Sequence, residues 1–177
     1  MSAHENFKEI EDFGPFKRTM DVNFFGYVYP TRYALEHLEK DQGQILVMSS
    51  YSGDIGLPSR ASYCASKFAV NGFFESLKMD MQPKPKVDIT IVGMSRIATN
   101  MRKNSLTAER YAENGTLSGT VDKNPPMSIE KAVDVIVSAA DARVGKAYAD
   151  WGNYFSIYLR PVFPFFFDPG VSAKTRL

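Results

Sequence analysis

The sequence predicts an α/β fold on a parallel sheet, and three observations carry that prediction. Gln44–Ser50 is a short apolar run ending in two hydroxyls, which suits a strand covered on both faces. Residues 87–92 read as a second strand. Long amphipathic helical segments precede each of them, and a further helix and short strand follow. Strand, helix, strand, helix, strand is the order of parallel strands joined by right-handed crossovers.

The elements follow in order. Residues 20–39 read as a helix with apolar positions at Val22, Phe25, Tyr29, Tyr33 and Leu38. Pro30 lies inside it and removes one backbone donor, which predicts a kink there. Asp41-Gln42-Gly43 is a turn signal before a strand over residues 45–49. Residues 51–59 contain Gly53, Gly56 and Pro58 and form a loop bordering a pocket. The second long helix spans 61–81 and stops at Pro83 and Pro85. Residues 94–126 form a long polar segment with a short helix near Ala108 to Glu113, the signature of a lid or binding loop. Ser128 is placed to cap a helix through Ala140, with Glu130 in its first turn. Residues 146–150 form a last short strand, and 151–177 an aromatic tail.

Composition narrows the function. A chain of 177 residues with 44% apolar content suits one domain. A net charge of +1 with scattered lysines and arginines gives no nucleic-acid footprint. Cys64 is the single cysteine, so no internal disulfide forms, and a packed small residue suits it better than a reactive thiol. His4 and His37 are isolated, and no metal-ligand spacing is present. Residues 1–11 are polar and partly acidic, unlike a signal or transit segment, and no apolar run is long enough to span a bilayer. The tail crowds Trp151, Tyr154, Phe155 and Tyr158 beside Arg160, which suits either peripheral lipid contact or packing on a core or dimer mate.

Tyr63 and Lys67 carry the chemistry. Residues four apart share a helix face, so the ammonium stands beside the phenol. A nearby cation lowers a phenol's pKa and fits it for proton transfer to a substrate oxygen. The spacing is common in ordinary amphipathic helices, and the surroundings decide its weight. Ser49 and Ser50 fall at the carboxyl end of the first strand, where open α/β sheets bind ligands.

Val22-Asn23-Phe24-Phe25-Gly26, Ser49-Ser50 and Tyr63-Cys64-Ala65-Ser66-Lys67 together resemble the catalytic half of the short-chain dehydrogenase/reductases. Ser50 precedes Tyr63 by thirteen positions and Asn23 precedes Ser50 by twenty-seven, matching that family's Asn-Ser-Tyr-Lys tetrad. The resemblance runs from about Glu11 to the end. Phe68 to Phe74 and Tyr158 to Pro161 resemble the branch of 11β-hydroxysteroid dehydrogenase-like and dehydrogenase/reductase member 7-like enzymes; residues 28–32 are also similar to 3-ketosphinganine reductases.

The resemblance implies a Rossmann-type doubly wound sheet and an NAD(P)-dependent oxidoreductase, with NADP favoured. Its substrate would be a small apolar, lipid- or steroid-like alcohol or ketone. Asn23, Ser50, Tyr63 and Lys67 would be catalytic, and Asn23, Tyr63, Lys67 and Thr99 would meet the cofactor. Tyr63 would be the acid or base, Lys67 would lower its pKa and hold the ribose, and Ser50 would bond the substrate oxygen. Asn23 would hold a water in the proton path, and Thr99 would touch the carboxamide. The family also implies four-helix dimers, with Phe73 and Leu77 of the second helix joining Phe25, Tyr29 and Tyr33 of the first, and membrane association at the endoplasmic reticulum. Met94-Ser95 departs from the usual Pro-Gly.

The family's Gly-rich turn and Asn-Asn-Ala-Gly element have no counterpart here; Gly115 and Gly119 follow a polar stretch rather than a strand. The expectation is therefore the C-terminal part of such an enzyme, with an unpaired edge on its first strand. The alternative is a truncated, non-catalytic remnant that dimerises through its two long helices or pairs with a full-length relative.

Overall fold

The computed structural model describes residues 1, 7–82, 86–101 and 125–163. After a 3-10 turn at Phe7–Glu9, a helical stretch runs in three parts: α1, Gly14–Met20; a π turn, Asp21–Phe25; and α2, Gly26–Lys40. It begins earlier than the apolar spacing indicated. Pro15 sits in the first turn, where a missing N–H costs nothing, and Asp12 Oδ1 accepts the Gly14 N–H at 2.8 Å. The helix continues through Pro30, and the irregularity lies instead in the π turn, where Gly26 N–H reaches back to Asp21 O. That turn buries Asn23 while leaving Val22 and Phe25 exposed.

The sheet has the expected class. Strands β1 (Gln44–Ser50), β2 (Asp88–Met94) and β3 (Lys146–Tyr148) are parallel in the order β1-β2-β3. Among the described residues β1 pairs with β2 alone, so its outer edge is open as anticipated.

Alternate strand residues build two cores. Val47, Ile89 and Ile91 pack on Val70 and Phe74 of α3 (Ala61–Asp80), with Phe24 and Tyr27 joining them. On the opposite face Val92 and Met94 pack on Ala132 and Ala139 of α4 (Ile129–Asp141), with Leu46 and Met48. Ser128 caps α4, its Oγ accepting the Lys131 N–H at 3.3 Å. The three layers are half of a doubly wound arrangement.

Several expectations change. Phe73 and Leu77 pack, partly buried, on the α3 core, whereas Phe25, Tyr29 and Tyr33 are exposed in this chain. The start of the tail is a helix, α5 (Trp151–Leu159), because Tyr154 and Tyr158 find the Tyr148 ring to pack against. The short helix expected near Ala108 to Glu113, the Gly115 to Gly119 loop and residues 164–177 lie outside the described residues. Among those described, no helix is long and apolar enough to cross a membrane.

Candidate active site

The site forms where β1 ends. Ser50 is the last strand residue, and its Oγ accepts the Ser52 N–H at 3.2 Å, starting a 3-10 turn over Tyr51–Gly53. The turn presses on α3 so closely that a Cβ on Gly53 would lie 2.7 Å from Asn71 Nδ2 and 2.9 Å from Lys67 O. Only glycine fits without displacing the helix backbone. Asn71 holds the turn, donating to Gly53 O at 3.1 Å and to Asp54 Oδ1 at 3.2 Å, while Ser49 Oγ donates to Asn71 Oδ1 at 2.5 Å. Lys146 on β3 clamps the other side, reaching Asp54 Oδ1 at 2.7 Å and Glu75 Oε1 at 2.8 Å. Burial would lower the Lys146 pKa, but these two carboxylates outweigh it and hold the ammonium above its usual range.

Tyr63 lies across from Ser50 in the first turn of α3, buried to 7% exposure. Burial raises its pKa; the nearby Ser50 hydroxyl and the Arg60 charge oppose this without reversing it. Lys67 is buried at 8% exposure, and burial brings its pKa down to about 8. Its Nζ donates to Met48 O at 2.8 Å and stands over the Tyr27 ring, 5.4 Å from the centroid. The spacing argument expected the ammonium to lower the phenol's pKa. In the structure the phenol's pKa is raised instead, because desolvation dominates and the ammonium is drawn to the Met48 carbonyl.

Asn23 reaches the same place from the π turn. Its Nδ2 donates to Ser66 Oγ at 3.1 Å and to Met1 O at 2.9 Å, and its Oδ1 accepts the Met1 α-ammonium at 2.9 Å. Ser66 in turn donates to Tyr63 O at 2.7 Å. Asn23, Ser50, Tyr63 and Lys67 therefore converge. Thr99 lies on the exposed bend beyond β2, its N–H bonded to Ile97 O at 2.8 Å. Among the described residues no hydrogen bond joins it to the other four. Cys64 is buried under the loop against Leu57 and Ser52, with its thiol pKa raised by burial, as befits a packed residue.

Sequence reasoning missed Tyr27, Ser66, Asn71, Asp54 and Lys146. Ser66 and Asn71 had a signal: both share the helix face of Tyr63 and Lys67, and polar residues there need partners. Asp54 and Lys146 are ninety-two positions apart, beyond any local pattern.

The family model described as short chain dehydrogenase matches residues 1–110. The chain belongs to the short-chain dehydrogenase family. Among similar relatives, 11-beta-hydroxysteroid dehydrogenase A of Sesamum indicum is 33% identical over 133 residues, covering 75% of this chain and 38% of that protein. Dehydrogenase/reductase SDR family member 7B of Xenopus laevis is 32% identical over 164 residues, covering 90% and 49%. These are the branches the motifs resembled. The chain spans about half, or less, of the length of these relatives. A short-chain dehydrogenase from Burkholderia cenocepacia, solved in complex with NADP, superposes with a TM-score of 0.76 at 21% identity, covering 97% of this chain and 65% of that one. That likeness shows the doubly wound fold.

Proposed function

We propose that this chain supplies the catalytic residues of an NAD(P)-dependent oxidoreductase interconverting an alcohol and a ketone on an apolar, lipid- or steroid-like substrate. The observation that carries the reading is the buried Tyr63 phenol in the first turn of α3, one helical turn from the buried Lys67 ammonium and facing the β1 end that holds Ser50. Two hydroxyls set side by side suit a carbonyl oxygen. Ser50 donates to it and stabilises charge as it develops, and Tyr63 delivers the proton. In the oxidative direction Tyr63 takes the proton back.

The donor set also fits the nicotinamide end of a dinucleotide. Lys67 has three N–H donors, and Met48 O engages one of them, so the ammonium and the Tyr63 hydroxyl suit ribose hydroxyls. Asn23 takes part through Ser66, the neighbour of Lys67, and Thr99 stands beyond the end of β2 for the carboxamide. The nicotinamide, when bound, supplies or accepts the hydride. The reading covers NAD and NADP alike. Half-buried Tyr51, Ile55 and Leu57 beside Ser50 favour an apolar substrate, and one relative is named a hydroxysteroid dehydrogenase.

Tyr63→Phe removes one oxygen and tests the reading in a form of the protein that turns over substrate. Turnover is expected to fall by about 10²–10⁴-fold, the usual contribution of a positioned acid–base group. Cofactor affinity, followed by NAD(P)H fluorescence, stays within a few-fold of the parent. Full turnover in the variant would overturn the assignment.

The exposed aromatics of the π turn and α2 support a second, separate reading: Phe25, Tyr29 and Tyr33 form a face for another copy of the chain.

A further inference from the structure

Tyr27 is absent from every motif in the sequence, yet it touches the site twice. Its hydroxyl donates to Met48 O at 2.9 Å, the same carbonyl that accepts the Lys67 ammonium at 2.8 Å. Its ring lies under that ammonium, 5.4 Å from Nζ to centroid. The ring is fixed from behind: Phe74 meets it edge-on at 6.2 Å, and both belong to the core between α3 and the sheet. Tyr27 stands four residues after Asn23, so one helical stretch presents both side chains to α3.

Two donors on one carbonyl have a consequence. A carbonyl oxygen has two lone pairs, and each bond is weaker when both are taken. The Tyr27 hydroxyl therefore loosens the hold of β1 on the ammonium, while the Tyr27 ring supports the ammonium as a cation. We propose that Tyr27 is a positioning residue for Lys67: the ring carries the ammonium in place, and the hydroxyl shares Met48 O so that the remaining N–H donors stay turned toward a ligand. This rests on the reading of Lys67 as the residue that meets the cofactor ribose. Among the described residues, the charged and titratable groups near the ammonium are the Met1 α-ammonium from the N-terminal end, the Tyr27 phenol from α2 and the Tyr63 phenol one turn earlier on α3.

The two parts of Tyr27 act on Lys67 in opposite directions, which makes the proposal testable on this chain as it stands. Lysine labelled with ¹³C at Cε gives each ammonium a titrating signal, and Lys67→Met assigns the one from Lys67. Tyr27→Phe keeps the ring and frees Met48 O for Lys67 alone, so the Lys67 pKa should rise by roughly 0.5 pH unit. Tyr27→Leu removes the ring as well, and the pKa should fall below the parent by roughly 0.5–1 pH unit. Shifts of opposite sign support the assignment. Unchanged values, or shifts of the same sign, overturn it. If Tyr27→Leu does not fold, Tyr27→Phe decides alone: a rise supports the proposal, and no change or a fall overturns it. The titration reads Lys67 whether or not a dinucleotide binds, so its failure is distinct from failure of the Tyr63 assignment.

Discussion

The two long helices solve opposite problems. α3 buries polar groups: Ser66 is fully buried and Asn71 is 4% exposed, beside Tyr63 and Lys67. α2 exposes aromatic ones: Tyr29 is 61% and Tyr33 79% exposed, with the Phe25 ring stacked on Tyr29 at 5.6 Å. On α3 three of the buried polar side chains have partners, Met48 O for Lys67, Gly53 O for Asn71, Tyr63 O for Ser66. Such burial is costly unless hydrogen-bonded, and it is kept where the groups have chemistry to perform. The aromatic face of Phe25 and α2 has no core to enter, because Asn23 of the π turn and Tyr27 of α2 face inward and leave Phe25, Tyr29 and Tyr33 outward. α3 thus carries satisfied polar groups inside the protein, whereas the helical stretch of α2 carries an exposed aromatic patch.

The largest effect expected is loss of the apolar support beneath the α3 site. Phe74 is 1% exposed, and Phe74→Ala should lower stability by about 3–5 kcal/mol, the usual cost of such a cavity. Denaturant unfolding measures it. An unchanged midpoint would mean that this face does not hold α3 in place.

A smaller effect sharpens the cost of the buried ammonium. Lys67 has its folded pKa lowered to about 8, below the ordinary value of roughly 10.4 for a solvated lysine. Between these values the unfolded chain binds more protons than the folded one, so stability rises with pH. Relative to Lys67→Met, the parent should gain roughly 1–3 kcal/mol from pH ~8 to pH ~10.4 and hold a constant deficit below pH ~8. Paired unfolding curves across that range check it; parallel profiles would show that burial does not burden the ammonium.

The smallest effect on stability lies on α2. Tyr33→Asp should change unfolding by no more than about 0.5 kcal/mol, since the side chain is 79% exposed. It should nonetheless convert an associated parent to monomer in sedimentation. A parent already monomeric would remove the contrast between the helices, leaving α2 aromatic without a partner.

How much of this was legible varies by element. Strands β1 and β2 and helix α3 were read within two residues at either end, because apolar runs, Gly-rich turns and prolines are local signals. Ser50, Tyr63 and Lys67 were legible because their spacing is fixed by one strand end and one helical turn. The start of α1 and the helix of α5 were not. Pro15 opens α1 outside the apolar spacing that marked the helix, and α5 depends on the Tyr148 ring of β3, which only folding brings near.

The sequence by itself determined the parallel α/β class and the pairing of Tyr63 with Lys67, since both depend on periodicity or short spacing, and its motifs carried the resemblance that points to the family and to Asn23 and Ser50. The tertiary structure alone decided the state of those residues. It buried Tyr63 deeply enough to raise its pKa against a nearby cation, and it gave Lys67 the Met48 carbonyl and the Tyr27 ring as partners. Desolvation and shared acceptors are properties of what surrounds a side chain on every side, and a linear pattern records neighbours only along one chain direction.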